Sequence, residues 1–224
     1  MGSVGTELNR IDQYSDLDFF AIVEPGYKAA FIENLAWLEA VCPIVYAFQN
    51  TRDGHKVLFT DGIYVEFAVF VPAELETIPR DEGRVVWQKE GFDATAVRAP
   101  APQPEQHPRE FYLGEALTNL YVGLLRLHRG ERLSAMRFIQ VNAVNNILEL
   151  SAEIERPMMS ARRDRYAPDR RFERRFPETA SHLSSFMQGY DRSEASARAI
   201  LGFLEDHFPV NAAIKQRILE LCGE

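Results

Sequence analysis

The stretch DLDFFAIVE (16–24) opens on two aspartates and runs directly into the apolar segment Phe19 to Val23. A short apolar run of this kind reads as a buried strand. Residues i and i+2 of a strand share a face, so Asp16 and Asp18 present their carboxylates side by side at the strand's mouth. Charge is costly to hold against apolar surface, and two like charges this close repel one another. A bound cation offsets both costs. Mg²⁺ takes a few carboxylate oxygens and keeps its other positions for water and phosphate oxygens, which suits an Asp-x-Asp pair. The alternative is an aspartate pair that caps the strand's start or is simply solvated there.

Working outward, PGYKAAFIENLAWLEAV (25–41) has the apolar spacing of an amphipathic helix with a proline near its start, and PIVYAFQN (43–50) reads as a second strand. The turn signals TRDG and TDG bracket HKVLF (55–59) and precede IYVEFAVFV (63–71), which predicts two hairpins. RVVWQ (84–88) adds a short further strand. Strands joined partly by a helix and partly by hairpins imply a mixed α/β sheet. Glu66 interrupts an otherwise apolar strand, and a glutamate is almost never buried without a partner. It shares a face with Tyr64 and Ala68, opposite Val65, Phe67 and Val69. If its strand neighbours that of Asp18, three carboxylates converge; otherwise Glu66 faces water from an edge strand.

The chain has 224 residues with a net charge of −8, 46% hydrophobic and 26% charged, the composition of a soluble globular protein. That charge argues against a nucleic-acid partner bound through broad phosphate contact. No apolar run is long enough for a membrane span and no signal-peptide pattern is present. Cys42 and Cys222 have no metal-ligand spacing, which fits a reducing cytoplasm. Residues 1–100 hold 8 Lys/Arg against 16 Asp/Glu, whereas residues 101–224 balance at 17 against 17, so the negative surplus lies wholly in the first half. The change of composition coincides with RAPAPQPEQHP (98–108), a proline-rich linker. We therefore divide the chain into an α/β domain (1–97), a linker (98–108) and a helical bundle (109–224). In the last, REFYLGEALTNLYVGLLRLH (109–128) and RLSAMRFIQVNAVNNILELSAEI (132–154) are predicted to pack antiparallel across the RGE turn, followed by helices in 180–190, 193–208 and 211–222. His55, His107, His128, His182 and His207 show no ligand spacing and read as structural or exposed, and Trp37 reads as core.

Gly2-Ser3 precedes the aspartates by the spacer VGTELNRIDQY and Ser15. A Gly-Ser turn can offer backbone N–H groups and a hydroxyl to phosphate oxygens. Gly-Ser, a spacer, Asp-x-Asp and a third acid on a later strand together resemble the signature of the nucleotidyltransferase superfamily. DQYSDLDFF, VLFTDGIYVEFAVF and RLHRGERLSAMRFIQVNAVNNILEL are similar to its antibiotic-modifying branch, the lincosamide nucleotidyltransferases and aminoglycoside adenylyltransferases. The resemblance implies a polymerase-β-like nucleotidyltransferase domain followed by a helical bundle. It implies Asp16 and Asp18 as metal ligands, and Glu66 as the third acid, counted as metal ligand or as general base. Gly2 and Ser3 would hold the β,γ-phosphates, with Ser15 beside the motif also nucleotide-binding. Members of that branch carry a helix and a strand ahead of Gly-Ser, whereas here only Met1 precedes it, so the resemblance implies an upstream extension. The spacer is also longer than usual and lacks the Arg/Lys-Gly that often follows Gly-Ser.

The activity implied is transfer of AMP from ATP, with Mg²⁺, to a hydroxyl of a small molecule such as an aminoglycoside or lincosamide, releasing pyrophosphate. The acceptor is expected between the domains or at a homodimer interface, and the acidic first half favours a cationic acceptor. A second expectation, from another class, is a catalytically silent member of the same fold acting as a binding or dimerising module, for example a toxin's partner. ARRDRYAPDRRFERRF (161–176) carries Arg162, Arg163, Arg165, Arg170, Arg171, Arg174 and Arg175. It reads either as a pyrophosphate clamp, since arginine forks suit phosphate, or as a solvated or subunit-contacting segment.

Overall fold

A computed structural model describes residues 11–78, 84–92, 106–158 and 167–223. The chain divides into two compact units, Met1–Gln103 and Pro104–Glu224. In the first, β1 (Leu17–Ile22), β2 (Ile44–Thr51), β3 (Gly54–Phe59) and β4 (Tyr64–Phe70) form one sheet in the order β1-β4-β3-β2. The two hairpins read from the turn signals make β2-β3 and β3-β4 antiparallel, while β1 lies parallel to β4, so the sheet is mixed. The parallel pair requires a crossover, and helices α1 (Lys28–Glu33) and α2 (Ala36–Glu39) lie within the chain between β1 and β2.

The sequence pattern predicts one helix over 25–41, and the structure breaks it at Asn34. That residue adopts an extended backbone (φ −129°, ψ 114°) at the end of α1, and its side-chain oxygen accepts from Ala36 N–H at 2.9 Å, starting α2 afresh. Both helices still turn their apolar residues onto one sheet face. Ile32 and Leu38 pack with Val57, Phe59, Val65, Phe67 and Val69, and Trp37 meets Phe67 edge-on at 5.3 Å. Along β4, burial alternates as a half-covered strand requires: Val65, Phe67 and Val69 are buried, and Tyr64, Glu66 and Ala68 line the other face.

An ion cluster ties the ends of these elements together. Lys28 of α1 donates to Asp53 in the β2-β3 turn at 2.7 Å and to Glu74 in the 3₁₀ turn Pro72–Glu76 at 2.7 Å. Glu74 also accepts from Val71 N–H at 2.9 Å. The expected strand at 84–88 does not form; Val85, Val86 and Trp87 are exposed.

In the second unit, α3 (Arg109–His128) packs against a continuous helical run made of α4 (Arg132–Met136), a π-helical stretch (Arg137–Ala143) and α5 (Val144–Ile154). The two run antiparallel, as Arg126 donates to Ser134 at 2.6 Å near the turn and Arg109 reaches Glu153 at 3.4 Å at the far end. Gly123 permits the close approach, because a Cβ there would lie 2.6 Å from Ile139 Cγ1. The short helices α6 (Phe172–Arg175), α7 (Pro177–Ala180) and α8 (Leu183–Phe186) lead to α9 (Ser193–His207) and α10 (Ala212–Leu221). The core of this unit gathers Leu120, Leu124, Ile139, Ile147, Ile200, Leu204 and Ile218. No helix among the described residues is long and apolar enough to cross a membrane.

Candidate active site

Opposite the helix-covered face, the sheet carries a polar row. β1 and β4 pair in register with Asp18 beside Glu66, and β3 and β4 pair with Lys56 beside Glu66. Direct neighbours across a sheet lie about 4.8 Å apart and point to the same face, so Lys56, Glu66 and Asp18 stand side by side across three strands. Glu66 is the middle one. Lys56 Nζ lies 3.3 Å from Glu66 Oε2. The hydrogen bond and then the charge of Glu66 raise the Lys56 ammonium above its ordinary value, with smaller help from Tyr64 and Asp18.

Asn50 completes the arrangement through a β-bulge. Pairing passes from Gln49 opposite His55 to Thr51 opposite Gly54, leaving Asn50 as the extra residue. A bulge re-aims a side chain, and Asn50 Nδ2 donates to Glu66 Oε1 at 2.9 Å. Each oxygen of Glu66 therefore has a donor of its own. Because only the amide nitrogen can donate to a carboxylate, the geometry fixes the other amide atom as a bare acceptor, and Asn50 Oδ1 is buried with no hydrogen-bond partner. Asp18, Asn50, Thr51 and Glu66, with the backbone and rings around them, line a depression of about 310 Å³.

The other residues expected at the site fall in different places. Asp16 lies exposed immediately ahead of β1 and is not among the residues lining the depression. Ser15 belongs to a local turn: its hydroxyl accepts from Asp12 N–H at 3.0 Å and lies 3.2 Å from Asp12 Oδ1, while its own N–H donates to Asp12 O at 3.1 Å. That turn delivers the chain to Asp16. Gly2 and Ser3 lie outside the described residues, as do Arg162, Arg163 and Arg165. Of the remaining arginines, Arg175 is buried with its guanidinium over the Phe176 ring at 4.8 Å, a packing role. The structure thus brings Asp18 and Glu66 together, and adds Lys56, Asn50 and Thr51, which the sequence reading did not single out. Lys56 was within reach of sequence reasoning, since Lys56 and Glu66 are equidistant from Asp61 in the TDG turn and so must face each other in a hairpin. The bulge at Asn50 has no comparable sequence signal.

Whether these residues suit Mg²⁺ follows from their donors. Carboxylate, amide carbonyl and hydroxyl oxygens are hard ligands, and a buried acceptor lacking a donor favours a cation close by. Among the described residues no three His, Cys, Asp or Glu side chains form a group able to hold a metal alone. Mg²⁺ does not require one, since it is commonly held by one or two carboxylates with substrate phosphates and water. The donor set fits. No protein-family model matches the chain, and no curated protein matches it.

Proposed function

We propose that this chain is a metal-dependent nucleotidyltransferase that moves AMP from ATP to a hydroxyl of a small acceptor, of the kind found on aminoglycosides and lincosamides. The observation that carries the reading is the in-register pairing of Asp18 with Glu66 on adjacent parallel strands, above a depression whose polar lining is oxygen-rich. The mixed sheet followed by a helical unit supports the nucleotidyltransferase fold that the Gly-Ser…Asp-x-Asp resemblance implies.

Asp18, with Asp16 upstream of it, would hold the Mg²⁺. When bound, that ion supplies neutralisation of triphosphate charge. Glu66 accepts the proton of the acceptor hydroxyl on one of its carboxylate oxygens, a task that requires hydrogen-bond reach. The acceptor oxygen forms a bond to the α-phosphorus, the bond from that phosphorus to the bridging oxygen breaks, and pyrophosphate leaves with the electron pair. Holding acceptor and nucleotide in line contributes a large part of the rate in such transfers.

The Lys56–Glu66 ion pair favours one other reading, a silent module of the same fold, because it engages a carboxylate the chemistry needs. Incubating the protein with Mg-ATP and a panel of aminoglycosides and lincosamides, then measuring pyrophosphate and acceptor mass, separates the two. We expect pyrophosphate in step with an acceptor heavier by one AMP. No product with any hydroxyl-bearing acceptor, from a protein that still binds Mg-ATP, would leave the silent module as the better account.

A further inference from the structure

Glu66 stands between two neighbours of opposite charge. On one side is Asp18, its partner in β1, and on the other is Lys56, its partner in β3. Its carboxylate is turned to Lys56 and to the bulged Asn50, which contact one oxygen each, at 3.3 Å and 2.9 Å. A carboxylate so engaged has one lone-pair direction on each oxygen already used. Moving toward a cation beside Asp18 would break the contact with an ammonium, which is itself a cation.

Resting on the nucleotidyltransferase reading, we propose that Lys56 is a positioning residue that keeps Glu66 out of the metal's coordination sphere and reserves it as the base. Lys56 acts as a tethered cation that holds the carboxylate on the β3 side of the row. The metal is left to the aspartate side, to phosphate oxygens and to water. A third acid in this position can serve as metal ligand or as proton acceptor, and it cannot do both with the same lone pairs. Lys56 decides between them. Asn50 assists by holding Oε1, and its buried, partnerless Oδ1 remains as a neutral oxygen for the ion or for a water on it.

The test measures metal binding alone, without nucleotide or turnover. Mn²⁺ is titrated into the full chain and the free ion is read by electron paramagnetic resonance, for the wild type and for Lys56→Met, Glu66→Gln and the double variant. With Lys56 in place Glu66 is not a ligand, so Glu66→Gln binds Mn²⁺ within about twofold of the wild type, the ordinary scatter of independent sites. Lys56→Met frees Glu66 to ligate and tightens Mn²⁺ binding about three- to fivefold, the upper end of what a released exposed ion pair provides. The double variant returns to the Glu66→Gln value. A gain that persists in the double variant would mean that Lys56 acts only as a repelling charge, and overturns the inference. So does Lys56→Met matching the wild type, or a clear loss of Mn²⁺ affinity in Glu66→Gln alone. Mn²⁺ binding by none of the four proteins overturns the inference about Lys56, whereas the metal-dependent reading, whose ion is completed by nucleotide phosphates, stands or falls by the pyrophosphate assay, so the two failures are told apart. Lys56→Gln, which keeps a polar side chain on an exposed strand position, serves in place of Lys56→Met if that variant does not fold, and Lys56→Arg is expected to behave as the wild type.

Discussion

Asp18 and Glu66 bear the same charge in different company, and their substitutions should part accordingly. Asp18→Asn replaces a hard anionic ligand by a neutral amide and should weaken Mg-nucleotide binding. Glu66→Gln should leave that binding nearly intact and lower turnover by roughly 10²–10⁴-fold, the usual range for a lost general base. Nucleotide titration and turnover measured on both variants check the contrast, and equal loss of nucleotide affinity would make Glu66 a ligand. On the opposite face of the sheet, His55 is buried, stacks on Phe67 at 5.8 Å and has no partner for Nδ1. Burial lowers its pKa below the ordinary histidine value of 6.5. Below that value the unfolded chain therefore binds a proton that the folded chain resists. The stability His55 contributes is complete above about pH 6.5 and is lost as pH falls through the folded-state value. Urea denaturation at pH 7.5 and pH 5.5 should show a smaller fall for His55→Phe than for the wild type. An unchanged slope would mean that other groups carry the acid sensitivity.

Among the elements, the joint made by Lys28, Asp53 and Glu74 ties α1, the β2-β3 turn and the 3₁₀ turn after β4. Burial alone would raise the pKa of Asp53, but its hydrogen bonds and charge pairing with Lys28 and Arg52 bring it below the ordinary value. Glu74 is lowered by its hydrogen bonds from Lys28 and Val71 N–H. Both contributions are complete above about pH 5, beyond the ordinary values of 3.8 for Asp53 and 4.5 for Glu74, and are lost as pH falls through the folded-state values. Lys28→Met should cost about 1–2 kcal/mol at pH 7, more than an exposed pair because two carboxylates are left facing one another. The deficit should shrink at pH 3, which denaturant titration at the two pH values would reveal. The strands flanking this joint were legible because their turns are: TRDG and TDG set both hairpins, and the alternation in IYVEFAVFV told which face Glu66 takes. Three features were not legible, each for a physical reason. The break at Asn34 depends on a side-chain bond to Ala36 N–H that helical periodicity does not encode. The bulge at Asn50 is a choice of pairing, made only once β3 is in place. RVVWQ has β-forming residues, but strand preference is a preference for a packed, pleated surface, and Val85, Val86 and Trp87 have none around them.

For the whole molecule, the two hydrophobic cores share no residue: one is built from residues 32–69 and the other from residues 116–222. Each unit thus has its own source of cooperativity, and damage to one core need not reach the other. The chain carries the means to see this, because both tryptophans, Trp37 and Trp87, belong to the first unit, whereas the long helices belong to the second. Tryptophan fluorescence therefore follows the sheet unit and far-ultraviolet circular dichroism mainly follows the helical unit. In the sheet unit, a Cβ at Gly54 would lie 2.1 Å from Phe67 O, a backbone atom that cannot step aside, so Gly54→Ala should cost about 1–3 kcal/mol by overpacking. In the helical unit, buried Gln140 donates to Gly189 O at 2.7 Å and accepts from Gly189 N–H at 2.8 Å. Gln140→Leu strands both backbone groups and should cost about 2–3 kcal/mol. Gly54→Ala is expected to move the fluorescence transition to lower denaturant and leave the dichroism transition in place, and Gln140→Leu to do the reverse. If each substitution instead moves both transitions together, the units unfold as one, and a perturbation of the helices would then be felt at Glu66.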